Sequence, residues 1–86
     1  MIPTVDRIRE ALAVLDPTVL AIEDQSEGHL HHAGRGKGGH FKVTIVSAIF
    51  VGKNPLQRHQ MIYQALGDLM TTHIHAISMN TQAPGE

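Results

Sequence analysis

The run from His40 to Phe50 constrains the fold more than any other stretch. Phe41, Val43, Ile45, Ser47 and Ile49 alternate with His40, Lys42, Thr44, Val46 and Ala48. Successive side chains of a strand point to opposite faces, so this alternation predicts a strand with the first set buried. Gly52-Lys53-Asn54-Pro55 then reads as a turn. After it the period changes: Leu56, His59, Tyr63, Leu66 and Met70 recur at helical spacing, with Ile62 and Leu69 widening the stripe. The spacing predicts a main helix over 55–71, with Pro55 in its first turn, where a missing N–H costs nothing.

On the N-terminal side, Val5, Ile8, Leu12 and Leu15 mark one face of a helix over 4–15. Thr4 is the expected N-cap, Asp6 suits the positive end of the helix dipole, and Asp16-Pro17 ends the helix. Val19 to Asp24 reads as a strand with Leu20 and Ile22 on one face. Gln25 to Gly39 holds five glycines and three histidines and reads as a long loop; loops of this length in small domains often carry function. Ile74 to Asn80 reads as a third strand, and residues 82–86 as a frayed tail. The order helix, strand, strand, helix, strand implies an α+β domain: a mixed sheet with helices on one side.

The chain has 86 residues, expected to form one domain over 1–86. A domain of that size buries only roughly 60% of the surface of its unfolded chain, which leaves little room for a deep active site. Aromatic residues make up 3% of the chain, too few for a base-stacking surface. The formal net charge of −1 is not that of a dedicated polyanion binder. With no cysteine, the chain can form no disulfide and supply no thiolate. Neither a membrane-spanning apolar run nor a secretion signal is visible, so the expected compartment is the cytoplasm.

Gly34-Arg35-Gly36-Lys37-Gly38-Gly39 fits G-x-G-x-x-G formally, but it opens a strand where a dinucleotide fingerprint opens a helix. None of the serines sits in a nucleophile-elbow context, and the carboxylates are scattered, so an enzymatic role has no support. The seven histidines are the unusual feature. Imidazole is a common metal ligand that changes charge near neutral pH. His29, His31 and His32 fall in the glycine-rich loop, and His73 and His75 at the start of the last strand, two apart and so expected on one face. His75 shares parity with Ile77 and Met79, which predicts a place at the edge of a packed surface. His59 falls in the helical core stripe, where a hydrogen-bonded structural role is the plainer expectation.

Taken in order, several segments resemble the BolA family. They are Asp24-Gln25-Ser26, a loop histidine, His40-Phe41-Lys42-Val43, Ile45-Val46-Ser47, and Phe50-x-Gly52-Lys53. Arg58-His59-x-x-x-Tyr63-x-x-Leu66 and Ile74-His75-Ala76-Ile77-Ser78 complete the set. The resemblance spans roughly residues 5–80. It implies a fold of α-β-β-α-α-β order like the class II KH domain, with the main helix divided into a short turn near 55–59 and a longer helix.

The resemblance further implies a non-enzymatic adaptor that pairs with a monothiol glutaredoxin to hold a [2Fe-2S] cluster, in iron–sulfur trafficking or iron sensing. The partner supplies a cysteine and a glutathione thiolate, and this chain supplies His75 together with a loop histidine. His29 matches the family position best, with His31 and His32 as alternates. No cofactor is expected in the isolated chain, which is expected to be a monomer or weak homodimer. DNA binding with transcriptional control is the competing function attributed to such proteins. Lys53, Arg58, Lys42, Arg35 and Lys37 are the candidate contacts, although the Gly52-Lys53-Asn54-Pro55 turn lacks the G-x-x-G form of a KH clamp.

Overall fold

A computed structural model describes residues 2–26 and 38–86. Helix α1 (Thr4–Leu12) leads through a 3-10 turn (Ala13–Leu15) to strand β1 (Val19–Asp24), and β2 spans Gly39–Val46. A second 3-10 turn (Ala48–Phe50) precedes α2 (Pro55–Leu66), the short α3 (Leu69–Thr72) and β3 (Ile74–Gln82). The fold is α+β, and the described residues form one three-stranded mixed sheet in the order β1-β2-β3. β1 runs antiparallel to β2, with Leu20 opposite Ile45 and Ile22 opposite Val43. β3 runs parallel to β2, as strands joined through a helical crossover do.

The core is the helix-covered face of the sheet. Phe41, Val43 and Ile45 of β2 are buried beneath Ile8 and Leu12 from α1, Leu15 from the 3-10 turn after it, and Ile62 and Leu66 from α2, as their periodicities predict. Leu20 and Ile22 of β1 and Ile77 and Met79 of β3 pack around its margin. The N-cap of α1 is Pro3 and not Thr4: the Pro3 carbonyl accepts the Asp6 and Arg7 N–H groups, and no side chain caps the helix.

The expected strand 40–50 stops at Val46 because Ser47 turns the chain. Its Oγ donates to the Leu15 carbonyl at 2.6 Å and accepts the Ile49 N–H at 3.2 Å. That hydroxyl caps the 3-10 turn and breaks the two-residue period. Ile49 is therefore 45% exposed, against expectation, and Phe50, one 3-10 turn past Ser47, is fully buried.

The main helix starts as predicted, with a capping box in which Asn54 accepts the Gln57 N–H at 2.8 Å and Gln57 accepts the Asn54 N–H at 2.9 Å. Its division falls at the other end from that expected. Gly67, at φ +54°, breaks the helical path between α2 and α3, and residues 55–59 belong to the longer piece. The buried line on α2 is Arg58, Ile62 and Leu66, whereas Leu56 is 66% and Tyr63 44% exposed. A charged residue occupies a core position, and this rotates the true stripe away from the one drawn by apolar residues alone.

The expected frayed tail is instead tied down. Strand β3 continues to Gln82, whose carbonyl accepts the Ser47 N–H at 3.0 Å. Ala83 is buried. The Glu86 carboxylate meets the Arg58 guanidinium through two bonds of 2.6 and 2.7 Å, and also accepts the Ala83 N–H at 3.0 Å. Arg58 itself lies over the Phe50 ring, 5.8 Å from its centroid.

Candidate metal centre

The segment 27–37 leaves and rejoins the fold through a neck built by its flanking residues. The Ser26 N–H is held by Asp24 Oδ1 at 2.9 Å, which turns the chain out of β1. Ser26 Oγ accepts the His40 N–H at 2.9 Å, and the His40 carbonyl accepts the Gln25 N–H at 2.7 Å. The Gly39 N–H in turn donates to the His73 carbonyl at 3.1 Å. The glycines before His40 are required here. Gly38 is at φ +100°, and a Cβ on it would collide with the His73 carbonyl, while one on Gly39 would collide with Ser26 Oγ. The ends of both outer strands are thus gathered around the first residues of β2.

At this point the parallel ladder between β2 and β3 slips. Gly39 pairs with Ile74, but His40 pairs with Ala76, and from there to Val46 opposite Gln82 the register is regular. His75 is the extra residue of this bulge, a device that re-aims a side chain. Ile74 remains buried below the sheet, while His75 is exposed. Its ring stacks on that of His40, with centroids 5.1 Å apart and planes inclined by 20°. His40 alternates with Phe41 and so occupies the sheet face opposite the core. The expectation that His75 would share a face with Ile77 and Met79 fails for this reason: the bulge reverses its parity.

The predicted pairing of His73 with His75 is not formed either. His73 follows α3 as its C-cap outside the strand, and its Nδ1 lies 2.7 Å from Thr72 Oγ1. His73 lines an open cleft of about 510 Å³ between the first turn of α1 and the neck, shared with Thr4, Ser26, Gly38 and Thr72. The His40–His75 stack lies outside that cleft. His59 is half-buried on α2. His29, His31 and His32, with Arg35 and Lys37, lie outside the described residues. Among the described residues no three histidine, cysteine, aspartate or glutamate side chains gather to hold a metal ion. The described part therefore offers at most two imidazoles to a centre at the neck.

His40, which the alternation predicts only as a position on the uncovered face of the strand, is the neighbour of His75. Its signal was available: it precedes Phe41 in the alternation, on the uncovered face, directly after the glycine-rich segment. Of the basic candidates, Lys42 is exposed on that face, in register with Glu23 and Ser78. Lys53 is exposed in the turn before α2, beyond the far end of β2. The four steps of strand from Lys42 to Val46 alone span about 13 Å. Arg58 is not displayed: its side chain is 9% exposed and engaged by Glu86. No helix among the described residues is long and apolar enough to cross a membrane.

A small mixed sheet covered on one face by helices, with a bulge histidine beside the Gly38-Gly39 entry to its central strand, defines the class of domain. The chain belongs to the BolA family: the model of the family described as BolA-like protein matches residues 11–86. It is 47% identical over 70 residues to the DNA-binding transcriptional regulator BolA of Haemophilus influenzae, a match covering 81% of this chain and 66% of that protein. It is 42% identical to SufE-like protein 1, chloroplastic/mitochondrial, of Arabidopsis thaliana, over 93% of this chain and 24% of that protein. The chain thus spans less than two thirds of the length of these curated relatives. Among solved structures, BolA1 from Arabidopsis thaliana superimposes with a TM-score of 0.81 at 36% identity, covering 100% of this chain and 98% of that one.

Proposed function

We propose that this domain is a non-enzymatic adaptor that completes a [2Fe-2S] cluster held mainly by a monothiol glutaredoxin, in iron–sulfur trafficking or iron sensing. The observation that carries the reading is the bulge at His75. It turns one imidazole out to solvent at the root of the histidine-bearing loop, where a ligand approaching from another protein can reach it. The donor chemistry fits. The chain has no thiolate to offer, and two neutral nitrogens leave two positions for the partner's cysteine and a glutathione thiolate. His75 is one ligand. The second is a loop histidine, His29 ahead of His31 and His32. His29 follows Ser26 by three residues, and three peptide units reach at most about 10 Å.

When bound, the cluster supplies an iron whose imidazole ligation raises its reduction potential relative to full thiolate ligation. The contribution of this chain is to hold and release nitrogen donors. Because an imidazolium must lose its proton before it can ligate, and the neutral imidazole can take one up on leaving, such a ligand suits a cluster meant to be passed on. The test is to mix the chain with a monothiol glutaredoxin, glutathione, iron and sulfide. The visible absorption and circular dichroism are expected to differ from those of the glutaredoxin homodimer. His75→Ala is expected to return the homodimer spectrum; an unchanged mixed-complex spectrum would refute the assignment.

A second reading is favoured by the name of the Haemophilus relative, a DNA-binding transcriptional regulator. Lys42 and Lys53 are exposed and available to phosphates. A salt titration of duplex binding decides it: a steep loss of affinity with salt supports phosphate contact, and a weak, flat response removes the reading.

A further inference from the structure

We propose that His40 is a positioning residue for His75, holding the plane of its imidazole through the ring stack so that the ligand is oriented before iron arrives. The inference rests on reading His75 as a cluster ligand. A bulge residue is skipped by the ladder, and an exposed histidine there would otherwise sample several rotamers that ligation must freeze. The stack removes that freedom in advance. Its centroid separation of 5.1 Å lies within the range of favourable aromatic pairs.

The platform is itself rigid. The His40 N–H is held by Ser26 Oγ and its carbonyl by the Gln25 N–H. Its strand neighbour Phe41 is anchored in the core. The same Ser26 that starts the loop thereby fixes the ring on which the strand-borne ligand leans. A ring held in this way preorganises the side chain that leans on it.

The test uses the full chain with His40→Ala and His40→Phe. In the free protein, NMR is expected to show His75 ring protons displaced by the ring current of His40. The displacement should vanish in His40→Ala and persist in His40→Phe. In the glutaredoxin complex, cluster loss to an iron chelator, followed by visible circular dichroism, is expected to accelerate about two- to tenfold in His40→Ala, the effect of freeing one side chain. It should stay near the wild-type rate in His40→Phe, which keeps a stacking ring and lacks nitrogen. If His40→Phe loses the cluster as fast as His40→Ala, the nitrogen and not the stack is what matters, and the proposal falls. Unchanged His75 ring shifts in free His40→Ala would also overturn it. Failure of the His75 assignment is seen separately, as a complex indifferent to His75→Ala while the ring-current displacement persists.

Discussion

The two ends of β3 use polar groups in opposite ways. At its start, His75 is lifted out of the ladder by a bulge and left exposed, stacked on His40. Past its end, the chain turns so that Ala83 is buried and Glu86 clasps Arg58, whose guanidinium lies over Phe50. One end displays a titratable side chain, and the other pairs one to hold the strand down. A nine-residue strand can leave a side chain exposed at one end while its other end is secured to the core.

The largest test of this contrast is Phe50→Ala. It removes a fully buried ring from beneath Arg58 and is expected to cost about 3–5 kcal/mol in urea unfolding. Ser47→Ala comes next. It leaves the buried Leu15 carbonyl without its 2.6 Å donor, at an expected cost of about 1–3 kcal/mol. A loss near zero would show that the Ser47 hydroxyl does not stitch this end together.

The third test is pH. The Arg58 guanidinium, and after it the Ala83 N–H, hold the Glu86 carboxyl down from its ordinary 4.5 to about 2. A carboxyl with a depressed folded-state value stabilises the fold fully above its unfolded value. That contribution fades as pH falls from about 4.5 through about 2. The stability difference between wild type and Glu86→Gln is therefore expected to be constant near neutrality and to shrink across that window. A difference independent of pH would sever the link between the ion pair and the anchored end.

The smallest effect is expected at the displayed end. His75→Ala, at an exposed site outside the ladder, should change stability by no more than about 0.5 kcal/mol. A loss well above that would mean that the two ends do not differ as described.

Much of the fold was legible along the chain. The Val19–Asp24 strand falls where its β-branched run predicts. Phe41, Val43 and Ile45 are buried as their alternation requires, and Ile8, Leu12 and Leu15 as theirs does. Three features were not legible, each because a polar side chain overrides a hydrophobic period. Ser47 ends β2 by bonding across 32 residues to Leu15. Arg58 takes a core place that apolar counting assigns to Leu56 or Tyr63. Glu86 converts an apparent tail into an anchor.

The candidate centre divides along the same line. The sequence alone determined that this chain can offer a metal no thiolate, since residue identity sets the available donor atoms. Spacing alone left His73 and His75 as the strand-borne candidates, and the family resemblance singled out His75. Tertiary structure alone decided that His75 faces away from the core, that His40 and not His73 is its companion, and that Arg58 is unavailable to an outside anion. Parity within one strand cannot foresee a register slip, because the slip belongs to the pairing of two strands. A charge cannot be known as buried until the distant residue that neutralises it has been brought alongside.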